Sequence, residues 1–146
     1  LSIRQRRGLV FLPSVSWAEE FGRRIKSHFP AAAARFAYVH AQDPEREVKI
    51  GKFSAGQITI LFTTTLLERG LNFKQLDVMI LFADQRRVFS AETLIQIAGR
   101  VGRNADDPEG NIYYVAETIS PEMREAREAI QRMNREALKL GALGKE

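Results

Sequence analysis

The sequence predicts an α/β domain three layers deep, with a mostly parallel central sheet flanked by helices. Two observations carry that expectation. Five short apolar runs, rich in β-branched and aromatic residues, alternate with longer runs whose apolar residues fall at helical spacing. A chain of 146 residues with 45% hydrophobic content also suits one domain with a sizeable core, which argues against disorder.

In chain order, the strand-like runs are GLVFL (8–12), RFAYVH (35–40), ITILFT (58–63), DVMILFA (77–83) and NIYYVA (111–116). Helical spacing occupies 16–29, 44–55, 90 to about 101, and 120–140, where Met123, Ala126, Ile130, Met133 and Ala137 form the apolar stripe. Ser16, Asp43 and Ser90 are expected N-caps, because a short polar side chain accepts from the free amides of a first turn. Residues 1–7 read as a linker or the remnant of a preceding domain, and 8–146 as the domain itself. The absence of an initial Met and the basic Arg4, Arg6, Arg7 start suggest a piece of a longer protein.

Several function classes recede on composition. The basic, then apolar start is no secretory signal, since Pro13 interrupts it and Glu19 and Glu20 follow, and no run approaches the roughly 18 apolar residues of a membrane span. With no cysteine there are no disulfides or thiolate zinc sites, and His28 and His40 stand too far apart for a local metal site, so no metal ligands are expected and a cytoplasmic setting fits. The formal charge of +4 leans towards a polyanionic partner.

In an open parallel sheet, ligands gather beyond the carboxyl ends of the strands. The segments there are PSVS (13–16), HAQD (40–43), TTTLLERGLN (63–72), ADQRR (83–87) and, one helix later, QIAGRVGR (96–103). They are rich in hydroxyls, amides and arginines, the donors that phosphate binding uses, with glycines that admit close backbone approach. No nucleophile stands beside a base.

Three of these segments, in this order, resemble motifs IV, V and VI of superfamily 2 helicases, which lie in the second RecA-like domain: the serine-bearing loop after the first strand, TTTLLERGLNF, and QIAGRVGR. The pairing of the last two is most similar to the ComFA family of competence DNA-uptake ATPases, with PriA and RecG type helicases more distant. The resemblance covers residues 8 to about 134. It implies a RecA-like fold, and that Arg100 and Arg103 are catalytic finger arginines reaching ATP held by the N-terminal RecA-like domain of the same protein. Two like charges one turn apart repel each other, and become favourable when phosphoryl-transfer charge spreads between them. Gln96, Gly99, Gly70 and Asn72 would serve ATP binding, with Asn72 standing where many relatives have aspartate.

Towards DNA, Thr64 with Thr63 and Thr65 resembles the hydroxyl on the phosphodiester backbone, and Ser14, Arg69 and His40 would join it. Capping and β-propensity explain the threonines less fully, Ser16 is explained equally by capping, and His40 is read either as facing the strand or as a satisfied buried histidine. Arg86 and Arg87 are expected to extend the positive face, and Asp84 to be a strand-end residue. A phosphate loop, G-x-x-x-x-G-K-[ST], is lacking: Gly51-Lys52 is followed by Phe53 and Gly144-Lys145 by Glu146. The expected function is therefore half of an ATP-dependent single-stranded-DNA translocase for DNA uptake, inactive alone, with ATP and Mg2+ bound mainly by the N-terminal RecA-like domain. The family further implies ComFC and the membrane DNA-uptake channel as partners, a location at the inner membrane face, and a homo-oligomer as one assembly. A replication-restart helicase domain and a non-catalytic nucleic-acid-binding module are the alternatives.

Overall fold

A computed structural model describes residues 6–64, 76–99 and 110–144, with side chains through Glu136. Five strands form one sheet: β1 (Arg7–Phe11), β2 (Phe36–Tyr38), β3 (Ile60–Thr63), β4 (Leu76–Leu81) and β5 (Ile112–Val115). Their order is β2-β3-β1-β4-β5 and each neighbouring pair is parallel, so the chain crosses over the sheet between strands as the alternating pattern requires. The helices are α1 (Val15–His28), α2 (Arg46–Ser54), α3 (Ala91–Ala98) and α4 (Pro121–Gly144), with a 3-10 segment at Pro30–Arg35.

Alternation along β1 divides the core in two. Leu9 and Phe11 join a cluster with Phe53 of α2, Leu94 and Ile97 of α3, and Met123 and Ala126 of α4. Val10 and Leu12 join the other, with Ala18, Phe21 and Ile25 of α1 against Phe62. Helices thus cover both faces, giving the three layers expected. Glycine brings α1 close: a methyl group on Gly22 would meet Tyr38 Cβ at 3.5 Å and Phe62 Cδ2 at 3.6 Å. At the amino ends of the strands, Asp77 accepts from Arg6 Nε at 2.9 Å and from Asn111 N at 3.0 Å, tying β1, β4 and β5 together.

The boundaries differ from expectation in instructive places. Helix α1 is capped by Ser14, whose Oγ accepts from Trp17 N at 3.2 Å, and Ser16 lies inside the first turn. Asp43 does not cap α2, whose N-cap Glu45 has no side-chain bond. Asp43 instead accepts from Glu45 N at 2.8 Å and from Lys49 Nζ at 2.7 Å, bracing the turn before the helix. Ser90 caps α3 as expected, accepting from Thr93 N at 3.1 Å. β4 stops at Leu81 because Phe82 turns the chain with a φ of 58°.

Candidate functional site

The parallel register places the ends of all five strands along one edge. Read across it, the following residues are His40 after β2, Thr63 and Thr64 at the end of β3, Ser14 after β1, Phe82 and Asp84 after β4, and Thr118 after β5. Four of the residues singled out in the sequence therefore share one edge of the sheet: Ser14, Thr63, Thr64 and His40. Thr65, Arg69, Gly70, Asn72, Arg100 and Arg103 lie outside the described residues.

Thr63 is fully buried and Thr64 is 3% exposed, and neither Oγ1 has a hydrogen-bond partner among the described residues. The Thr63 carbonyl is satisfied, accepting from Leu12 N at 2.9 Å. A buried hydroxyl without a partner costs about 1–3 kcal/mol, and two in succession are unusual in a native structure. Beside them, the Ser14 and Ser16 hydroxyls lie 3.2 Å apart.

His40 is half-buried, with its ring stacked on Tyr38 at 5.9 Å. Nδ1 accepts from Gln42 N at 3.2 Å, which leaves Nε2 to carry the proton in the neutral ring. Next to it, burial pushes the Asp43 carboxyl up, but Lys49 and the Glu45 amide outweigh that and hold it below its usual value. Asp84 ties the edge together, its Oδ2 accepting from Thr118 N at 3.2 Å and from Thr118 Oγ1 at 3.1 Å, as suits a strand-end residue. Arg86 and Arg87 are both exposed, and Arg86 also pairs with Glu122 at 2.8 Å.

Gln96 is exposed on α3, opposite the buried Leu94, Ile97 and Ala98. Gly99 ends the helix in helical geometry, its N–H directed at the carbonyls of Ile95 and Gln96 at 3.1 Å each. In the sequence, Gly99 is followed directly by Arg100 and the rest of the motif. Among the described residues no three His, Asp or Glu side chains gather as a metal site. A hollow lined by Ile112, Tyr114, Arg127, Ile130 and Gln131 lies on the flank of β5, apart from these loops.

Sequence reasoning missed the aromatic pair at this edge, Trp17 and Phe82, whose centroids are 4.5 Å apart. Trp17 fits the helical spacing of α1, so periodicity gave no reason to separate it from the core residues.

A parallel sheet covered on both faces, with polar residues at its carboxyl edge, is the doubly wound α/β arrangement that RecA-like domains share with other nucleotide-binding folds. The family model for the helicase conserved C-terminal domain matches residues 1–105, and the chain belongs to that family. It is 33% identical over 129 residues to competence protein ComFA of Streptococcus pneumoniae and 36% identical over 131 residues to that of Bacillus subtilis. These matches cover 88% and 90% of this chain but 29% and 27% of the relatives, so it spans less than a third of their length. Among solved structures, the C-terminal domain of the DEAD-box protein Dbp5 matches with a TM-score of 0.60 and 22% identity, covering 88% of this chain and 69% of that one. Dbp5 of S. cerevisiae bound to RNA and ADP BeF3 matches with a TM-score of 0.64 and 22% identity, covering 88% of this chain and 32% of that one. These two establish the likeness of fold.

Proposed function

We infer that the domain is the second half of a ComFA-type motor that moves along single-stranded DNA in DNA uptake. The observation that carries this reading is the 33% and 36% identity to the ComFA proteins over 88% and 90% of the chain, with the hydroxyls of Ser14, Thr63 and Thr64 gathered at one edge of the sheet. Such hydroxyls donate to phosphate oxygens at little electrostatic cost, and a motor needs weak backbone contacts that form and release along any sequence.

ATP, with Mg2+, supplies the phosphoryl transfer that drives the cycle. Gln96 and Gly99 lead from α3 to Arg100 and Arg103, which would stabilise the charge growing on the γ-phosphate and so couple closure of two domains to hydrolysis. Thr63, Thr64, Thr65, Arg69 and Ser14 would hold the strand, with His40 at the outer end of the edge, while Gly70 and Asn72 link strand and nucleotide. The nucleotide is held mainly by an N-terminal RecA-like domain of the full-length protein, with ComFC and the uptake channel as partners at the inner membrane face, and homo-oligomers as one assembly. Among the described residues no helix is long and apolar enough to cross a membrane.

The test uses the full-length protein and measures DNA-stimulated ATP turnover alongside single-strand affinity. Arg103→Ala should lower turnover by roughly 10³ to 10⁵ with affinity nearly unchanged, because a finger arginine bonds to charge that exists only in the transition state. Thr64→Ala should weaken DNA binding several-fold, the worth of one neutral hydrogen bond of about 1 kcal/mol, and blunt stimulation by DNA. Wild-type turnover in Arg103→Ala would remove the motor reading.

A further inference from the structure

At the same edge, one place breaks two local rules together. Phe82 has a φ of 58°, the one positive value at a non-glycine residue among those described, in a region that bulky side chains rarely adopt. Its ring is nevertheless not driven into the core. Phe82 is 39% exposed and Trp17, its neighbour, is 43% exposed. The rings meet edge to face at 4.5 Å and 75°. Both are firmly based: Trp17 stands in the first turn of α1 with its N–H on Ser14 Oγ, and the Phe82 carbonyl accepts from Gln85 N at 3.0 Å. Strain held at a surface aromatic, with no gain in burial, marks a group presented for use.

We propose that Trp17 and Phe82 form a platform on which a base of single-stranded DNA stacks. The proposal rests on the single-strand reading above and adds to it a contact with bases. Register puts the platform beside the hydroxyls: β1 and β4 are adjacent, with Phe11 opposite Ile80, and Thr63 flanks Phe11 on the other side. A strand whose phosphates meet Ser14 and Thr64 would carry its bases over the neighbouring loops. The surroundings favour a nucleic acid over a protein partner. Ser14 and Ser16 stand just before Trp17 in the chain, the first turn of α1 has no acidic residue, and in the connection after Phe82 the carboxylate of Asp84 is turned to Thr118 while Arg87 is exposed. A protein groove would call for an apolar rim. Bases present their faces only when unpaired, so the platform selects single strands, and every base has such a face, so it is indifferent to sequence.

Trp17 is the single tryptophan of the chain, so its fluorescence reports the platform directly. The probes are an oligothymidylate and an abasic oligonucleotide of equal length, which shares its phosphates but lacks bases. Quenching by the first and not by the second is expected, with oligothymidylate affinity higher by roughly 5- to 100-fold. Phe82→Gly removes the ring and suits the left-handed backbone, so the fold is kept, as circular dichroism will check, and the two affinities should converge. Equal binding of both probes, with unchanged fluorescence and no effect of Phe82→Gly, overturns the platform and leaves the backbone contacts standing. Failure to bind either probe removes both. If Phe82→Gly instead weakened only association with an ATPase domain, the rings would be a protein contact and the proposal would fall.

Discussion

Thr64 carries a cost in the fold that the proposed strand contact would relieve. Its hydroxyl is buried without a partner among the described residues, and exchanging a methyl for that hydroxyl removes the unmet group at nearly constant shape. Thr64→Val should therefore stabilise the fold by about 1 kcal/mol while weakening single-strand binding, opposite signs that a packing residue would not give. Urea denaturation and fluorescence anisotropy check the two halves, and a destabilised variant would mean that the hydroxyl is satisfied in the fold. Asp43 makes a pH prediction of definite sign. Its carboxyl is held below its usual value, so its contribution is complete above the unfolded-state value and is lost as pH falls through the folded one. Asp43→Asn should cost about 1–2 kcal/mol at neutral pH, since the bond to Lys49 is charge-assisted and mostly buried. The gap from wild type should close below about pH 4, and denaturation at a series of pH values would expose a gap that stayed constant.

At the level of elements, the two serines at the start of α1, Ser14 before it and Ser16 within its first turn, separate cleanly. Ser14→Ala should destabilise by about 1 kcal/mol, and Ser16→Ala by much less, because only Ser14 has the extended backbone, φ −149° and ψ 164°, that turns its oxygen back to the helix amides. Equal losses in thermal unfolding would contradict this assignment. Gly22→Ala, in the middle of α1, should stabilise by about 0.5–1 kcal/mol, since the added methyl meets its neighbours at ordinary contact distance and glycine costs entropy in a helix. The serine pair also shows what was legible. Periodicity and the short polar residue before it located α1, yet could not choose between caps two positions apart, a choice made by backbone angles. Strand β2 shrank to Phe36–Tyr38 because the 3-10 turn at Pro30–Arg35 takes Arg35 at one end and the chain turns at the other, where the His40 carbonyl accepts from Asp43 N, local hydrogen-bond choices that leave no hydrophobic period. The edge residues Ser14, Thr63, Thr64 and His40 were legible because strand ends in a parallel sheet must share one side. Phe82 was not, because the sign of φ is absent from any pattern of apolar residues.

For the molecule as a whole, the two core clusters on either side of the sheet predict that the 146-residue chain folds alone, while the proposed motor reading predicts that its chemistry needs a second domain. The strands are bridged by buried Ala37 of β2, Leu61 of β3, Leu9 and Phe11 of β1, and Val78 and Ile80 of β4, with Ile112 and Tyr114 of β5 packed against them, and a continuous apolar core of this kind is expected to unfold cooperatively in a domain of this size. No phosphate loop occurs in these 146 residues, so on the proposed reading Arg100 and Arg103 would meet no triphosphate when the chain is by itself. The expected outcome is a cooperative thermal transition with no release of phosphate from ATP above a blank. Single strands should still bind, weakly and without sequence preference. Their affinity should fall only gently with salt, because hydroxyls outnumber free cations at the described edge and neutral donors displace no counterions. A steep salt slope would show that arginines carry the contact in place of Thr63 and Thr64. Phosphate release that Arg103→Ala abolished in the isolated chain would show a complete catalytic site, and the division of labour between two domains would have to be abandoned.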